Sequence, residues 1–237
     1  IAFTRQNGLY LIPPLGGAER RITTFSSSHP FARYLDWSPD GEWLAVSDCY
    51  PPQEPTTLSL FLVERETGEK RKLTSPQAGT AGDRFPAFSP DGKTVAFFLF
   101  ISDAVGDLYL VSAAGGEPKR LTFDDAGAIS PAWTPDGREI LFLSTRDGAS
   151  APGLWRIPAT GGAPEKVEAI GQRIGDFAIS PQGNRLAWTQ GTNDFNIWQY
   201  NLTSPATQRP QPASLIELQP SRPWPSKTRT PMRTTSG

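Results

Sequence analysis

One short stretch recurs along the chain and limits what the chain can fold into. Trp37-Ser38-Pro39-Asp40-Gly41 precedes the apolar run Leu44-Ala45-Val46, and Phe88-Ser89-Pro90-Asp91-Gly92 precedes Val95-Ala96-Phe97. Trp133-Thr134-Pro135-Asp136-Gly137 precedes Ile140-Leu141-Phe142. A fourth copy, Ile179-Ser180-Pro181-Gln182-Gly183, has lost its aspartate and precedes Leu186-Ala187-Trp188. The turn glycines stand 51, 45 and 46 residues apart, a period that belongs to repeat architectures. Proline presets φ at the second position of a β-turn, aspartate bonds its own backbone, and glycine supplies the positive φ that closes the turn. Each copy therefore reads as strand, tight turn, strand. Asp40, Asp91 and Asp136 are read as turn formers, and no metal is assigned to them. Trp37 and Trp133 are expected to lie buried beside their turns.

Two more strands follow in every unit. Leu60-Phe61-Leu62-Val63 leads through Gly68 to Arg71-Lys72-Leu73-Thr74, and Leu108-Tyr109-Leu110-Val111 leads through Gly115-Gly116 to Lys119-Arg120-Leu121-Thr122. Leu154-Trp155-Arg156-Ile157 leads through Gly161-Gly162 to Glu165-Lys166-Val167. Glycine pairs between apolar runs signal hairpins. Four antiparallel strands per repeat of this length make a β-propeller blade. The expected units are 31–75, 81–123, 128–168 and 174–203, with residues 1–25 as the back of a partial one. The inner strands are apolar on consecutive residues, as a sheet buried on both faces must be. The outer strands carry Arg and Lys, which discourage edge-to-edge pairing. Tyr10, Phe61, Tyr109, Trp155 and Trp198 share one position and are read as packing between blades rather than as a ligand platform.

Composition agrees with an all-β chain: 24 Pro and 22 Gly with 37% hydrophobic residues suit short strands and turns. A net charge of −1 argues against nucleic-acid binding by the propeller itself. No apolar run is long enough to span a membrane. Cys49 is the lone cysteine, which excludes an internal disulfide. The chain starts on Ile1-Ala2-Phe3, a match to Val95-Ala96-Phe97, so a fragment of a longer bacterial protein beginning inside a repeat is expected. From Ser204 the pattern stops. Residues 204–237 hold seven prolines, five Lys or Arg and one acid, a composition expected to stay disordered. Ala213-Ser214-Leu215-Ile216 is the candidate outer strand of the fourth unit.

The Ser-Pro-Asp-Gly turns, the Leu-Tyr-Leu-Val third strands and the Lys-Arg-Leu-Thr outer strands resemble the WD40-like PD40 repeats of the TolB-like propeller family. The resemblance covers about residues 1–203. It implies an incomplete or open ring, because complete rings of this type usually have six or more blades. It also implies a non-catalytic scaffold for protein interaction or sensing, in a periplasmic or other extracytoplasmic setting. Similar propellers accompany prolyl-oligopeptidase-type (S9-like) peptidases, winged-helix transcriptional regulators and bacterial Ser/Thr kinases, so these remain alternatives.

Catalytic patterns are missing from the sequence. His29 is the only histidine and sits in a serine-rich loop, without the orienting acid and nucleophile elbow that a hydrolytic triad needs. Gly148-Ala149-Ser150-Ala151-Pro152 lacks the final glycine of an elbow. The glycine pairs open no helix and so are not phosphate cradles. No cofactor is expected. The residues entering the innermost strands, Arg33, Tyr34, Arg84, Phe85, Ser130 and Asp176, are expected to line the channel mouth and meet a protein or peptide partner. Arg33 and Arg84 occupy the same position in successive blades, so paired guanidiniums there would hold a carboxylate of the partner. The loop at 49–57 is the next candidate.

Overall fold

The structure, a computed structural model, describes residues 1–26, 34–49, 57–102, 105–168, 173–183, 185–191, 195–201 and 211–212. Blade 1 has three strands, β1 (Ala2–Arg5), β2 (Gly8–Leu11) and β3 (Arg20–Thr24). Blade 2 has β4 (Leu35–Trp37), β5 (Trp43–Cys49), β6 (Leu58–Glu64) and β7 (Lys70–Lys72). Blade 3 has β8 (Gly82–Phe88), β9 (Thr94–Ser102), β10 (Val105–Ser112) and β11 (Lys119–Arg120). Blade 4 has β12 (Ala128–Trp133), β13 (Glu139–Ser144), β14 (Gly153–Pro158) and β15 (Glu165–Lys166). Blade 5 has β16 (Ile174–Ile179), β17 (Arg185–Gly191), β18 (Phe195–Asn201) and β19 (Gln211–Pro212). Within every blade neighbouring strands run antiparallel, and the described residues contain no α-helix. Among the described residues no helix is long and apolar enough to cross a membrane. The outer strand of blade 5 falls at Gln211–Pro212, just ahead of the stretch 213–216 that the sequence pointed to. Residues 213–237 lie outside the described residues, as does His29.

The consecutive apolar residues of the second strands divide between two interfaces. On β9, Val95 and Phe97 pack toward blade 2, while Ala96, Phe98 and Phe100 pack toward blade 4. On β13, Ile140 and Phe142 face blade 3, and Leu141 and Leu143 face blade 5. Strand pleating sends alternate side chains to opposite faces. A blade with neighbours on both sides therefore needs apolar residues at every position. Phe61, Tyr109 and Trp155 join these same interfaces.

The recurrent turn is a hydrogen-bonded unit. The Ser89 hydroxyl donates to Asp91 Oδ1 at 2.6 Å and accepts from the Thr94 amide at 3.0 Å, while the Lys93 amide donates to the same carboxylate. Thr134, Asp136, Arg138 and Glu139 repeat the set, as do Ser38, Asp40, Glu42 and Trp43. These donors, the Ser or Thr hydroxyl first, hold the three carboxyls below the usual aspartate range. Gln182 has no carboxylate for that position. Gly183 nevertheless keeps its φ of 70° and its amide bond to the Ser180 carbonyl.

The turns also stack from blade to blade. A Cβ on Gly92 would approach Pro39 Cδ to 3.4 Å, one on Gly137 would come 3.8 Å from Pro90, and one on Gly183 would come 3.2 Å from Pro135. The outer strands clasp as well: the Arg20 guanidinium donates to the Arg65 and Glu66 carbonyls of blade 2, and Arg71 donates to the Ala113 carbonyl of blade 3 at 2.7 Å. The basic outer strands thus hold neighbouring blades together, a role beyond edge protection. Blades 2 and 3 share one parallel bridge, Leu58 with Gly82. A Cβ on Gly82 would lie 2.1 Å from the Leu58 carbonyl oxygen, so only glycine permits that approach.

Candidate partner-binding groove

The inner strands of blades 3, 4 and 5 each carry an irregularity. Register shifts fall between Arg84 and Ala87, between Ile129 and Ala132, and between Ile174 and Asp176. Phe85 and Ser130, three residues before Phe88 and Trp133, adopt φ of 56° and 53°. Positive φ in a residue as bulky as Phe is a genuine outlier, and such strain clusters at binding sites. A bulge re-aims the side chain it carries. In blades 3 and 4 the bulges carry Phe85 and Ser130, which together with Tyr34 of blade 2 and Asp176 of blade 5 line one groove of about 520 Å³. Its rim is built from the turn prolines Pro39, Pro90, Pro135 and Pro181.

Tyr34 is 43% exposed and tilts over Phe85, with ring centroids 4.2 Å apart. Phe85 is buried beneath it and continues into the core between blades 3 and 4. Asp36 also lines the groove, and its Oδ2 accepts the Phe88 amide proton at 2.7 Å across the blade boundary. Desolvation raises the Asp36 carboxyl above its usual range, against the Phe88 and Trp37 amide bonds that pull it down. Asp176 is exposed, and its Oδ1 accepts the Phe177 amide proton.

Arg84 corrects the sequence reading. It does not line the groove; it is 2% exposed, its guanidinium lies 5.2 Å from the Phe100 ring centroid, and Nη2 donates to the Ala81 carbonyl at 3.4 Å. The physical reason is the bulge: by turning Phe85 inward it directs the preceding residue into the blade interface. The equivalent residue of blade 4, Ile129, packs against the core there. Arg33 lies outside the described residues, so the paired-guanidinium rim loses its one described member. Of the other candidate loop, only Cys49 and Thr57 are described, and both are buried.

Trp37 and Trp133 differ from expectation too. Both are half-buried, because the Trp133 indole spans from the groove wall to the Ala87 carbonyl of blade 3, and Trp37 packs on the edge of the cluster between blades 1 and 2. Sequence reasoning missed Asp36 as a groove residue, although it stands two positions after Tyr34 and strand alternation puts it on the same face.

Comparison with known proteins places the fold. The family model of the Tricorn protease N-terminal beta propeller domain matches residues 59–202. The uncharacterized peptidase YuxL of Bacillus subtilis is 37% identical over 120 residues, covering 48% of this chain and 17% of the relative. A TolB homolog of Chlorobium chlorochromatii is 33% identical over 109 residues, covering 46% of this chain and 22% of the relative. The chain thus spans less than a quarter of the length of these two curated relatives. The crystal structure of TolB from Acinetobacter baumannii superposes with a TM-score of 0.71 at 21% identity, over 90% of this chain and 53% of that one. The chain is a TolB-like β-propeller and belongs to the Tricorn protease N-terminal beta propeller domain family.

Proposed function

We propose that the chain is a non-catalytic scaffold whose inner-strand groove binds a protein partner or peptide. The observation that carries this reading is the convergence of Tyr34, Phe85, Ser130 and Asp176, one from each of blades 2 to 5, with two of them held in left-handed backbone. A row of stacked turns presents that surface, and loops on a rigid scaffold are where binding residues concentrate. The test compares purified chain with the variants Tyr34→Ala and Asp176→Ala, and with Phe123→Ala outside the groove. Partner capture by the first two falls at least fivefold while Phe123→Ala retains it. Equal capture by all three removes the groove from consideration.

A second reading has its own support in the similarity to YuxL, a relative named as a peptidase. In that reading the propeller accompanies a hydrolase domain and governs access to it. A Gly-x-Ser-x-Gly segment in the same reading frame, with peptide turnover by the whole protein, would favour it. The present chain supplies no elbow of that kind, and we expect peptide and ester panels to show no turnover by it.

A further inference from the structure

We propose that the groove opens into a side pocket between the turns of blades 3 and 4, and that this pocket takes one aromatic side chain of the partner, an indole by preference. This rests on the groove being the partner site and names the side chain by which a partner is read there.

Blade 2 shows what this position of the fold accepts. Trp43, Thr94 and Glu139 each stand two residues after their turn glycine, and pleating points each toward the following blade. In blade 2 the residue is an indole. Trp43 is half-buried and packs against the cluster between blades 2 and 3 that contains Leu62, where Ala113 of blade 3 also packs. The Arg71 guanidinium lies 5.8 Å from the Trp43 ring centroid and donates to the Ala113 carbonyl.

In blade 3 the residue is only a threonine, and a cavity of about 520 Å³ lies beside Thr94. Leu110 and Ala159, the counterparts of Leu62 and Ala113, line it together with Pro90, Trp133 and Pro135. Lys119 opposes Leu110 in register as Arg71 opposes Leu62, so a cation stands at the same place beside the cleft. Aromatic faces attract such cations within about 6 Å. The carboxylates at the rim are engaged within their own turns. Asp91 accepts from the Ser89 hydroxyl and the Lys93 amide, and Asp136 accepts from the Thr134 hydroxyl and the Arg138 amide. The wall that meets a guest is therefore mostly apolar.

The next cleft, between blades 4 and 5, is built differently. Glu139 and Arg156 replace Thr94 and Leu110 on its walls and lie 3.8 Å apart. An aromatic guest there would take an ion pair out of water, which costs more than the ring returns. The cleft between blades 3 and 4 also shares Ser89, Pro90, Trp133 and Pro135 with the groove. A segment lying in the groove can thus send one side chain past Trp133 into the pocket, and a large buried ring is the usual anchor of such an interface.

The probes are fluorescein-labelled Gly-Ser-Gly-Trp-Gly-Ser-Gly and its analogue with alanine at the centre, titrated with the purified chain by fluorescence polarisation. The tryptophan peptide is expected to bind about tenfold tighter or more, the gain that burying one large ring provides. Thr94→Trp fills the pocket from within, as blade 2 does, and Leu110→Arg gives its wall the blade 4 residue. Each should remove the preference for tryptophan, while Glu117→Gln, outside both cavities, keeps it. Urea midpoints verify folding, and Leu110→Arg carries the test if Thr94→Trp does not fold. Equal binding of the two peptides, or a preference that persists in the folded variants, would overturn the pocket; if Tyr34→Ala still weakens both peptides, the groove stands as the partner site. Loss of the preference in Thr94→Trp with binding untouched by Tyr34→Ala would overturn the groove reading and leave the pocket as a site of its own.

Discussion

The Trp133 indole of blade 4 donates its Nε1 proton to the Ala87 carbonyl of blade 3 at 3.0 Å. That bond ties the groove wall of one blade to the inner strand of the next. Replacing Trp133 with Phe keeps most of the ring and removes the donor, which should cost about 1 kcal/mol. Trp133→Ala also empties packing space and should cost about 3 kcal/mol. Urea midpoints of the two variants check the order; equal midpoints for Phe and wild type would show that the bond contributes nothing.

Glycine substitutions should separate backbone strain from blade contact. Gly41 has φ of 72° with nothing within 4 Å of its would-be Cβ, so Gly41→Ala should cost about 1 kcal/mol from the left-handed conformation alone. Gly82 has φ of 85°, and a Cβ there would meet the Leu58 backbone at 2.1 Å. Gly82→Ala must push blades 2 and 3 apart, and we expect a loss of about 3 kcal/mol or more. Thermal midpoints that fall equally would contradict the contact.

Asp83 gives a pH dependence. It is nearly fully buried where blades 2 and 3 meet, and desolvation pushes its carboxyl up to about 7, against the pull of the Thr74 hydroxyl and Lys72. The folded chain therefore keeps a proton that the unfolded chain releases near its ordinary value of 3.8. Stability from this group is greatest below about pH 4, declines as pH rises toward about 7, and is level above that. Asp83→Asn should flatten the decline and raise the unfolding free energy at pH 8, read from urea titration, by an amount on the order of a few kcal/mol. A steeper decline in the variant would contradict the sign.

Arg84 should matter for folding and not for capture. Its stem and guanidinium fill the blade interface against Phe100, so Arg84→Ala should cost about 2 kcal/mol through lost packing. Folded Arg84→Ala protein should still capture the partner, as measured by pull-down below its melting temperature.

The propeller architecture was legible because turn chemistry and apolar periodicity are local. Pro90, Asp91 and Gly92 announce a hairpin without any knowledge of neighbouring blades, and Val95-Ala96-Phe97 announces a sheet buried on both faces. The groove was only half legible. Counting back from each turn located Tyr34, Phe85, Ser130 and Asp176 at one level of the ring. Which residue of each adjacent pair faces the axis depends on a bulge, and a bulge flips orientation without changing the count. Strand alternation alone could not say that Phe85 lines the groove while Arg84 is buried in the blade interface. The left-handed φ at Phe85 and Ser130 has no composition signal, since neither is glycine, asparagine or aspartate. The clasp between Arg71 and the Ala113 carbonyl was equally hidden, because a partner 42 residues away is set by blade stacking.

Site-specific photo-crosslinking tests the central claim, that the groove is the partner surface. A benzophenone amino acid is placed at Tyr34 in the groove, or at Phe123, which is 74% exposed but outside it. Each protein is irradiated with its partner and the adduct is mapped by mass spectrometry. The account predicts a partner adduct from position 34 and none from position 123. An adduct from position 123 with none from position 34 would contradict it.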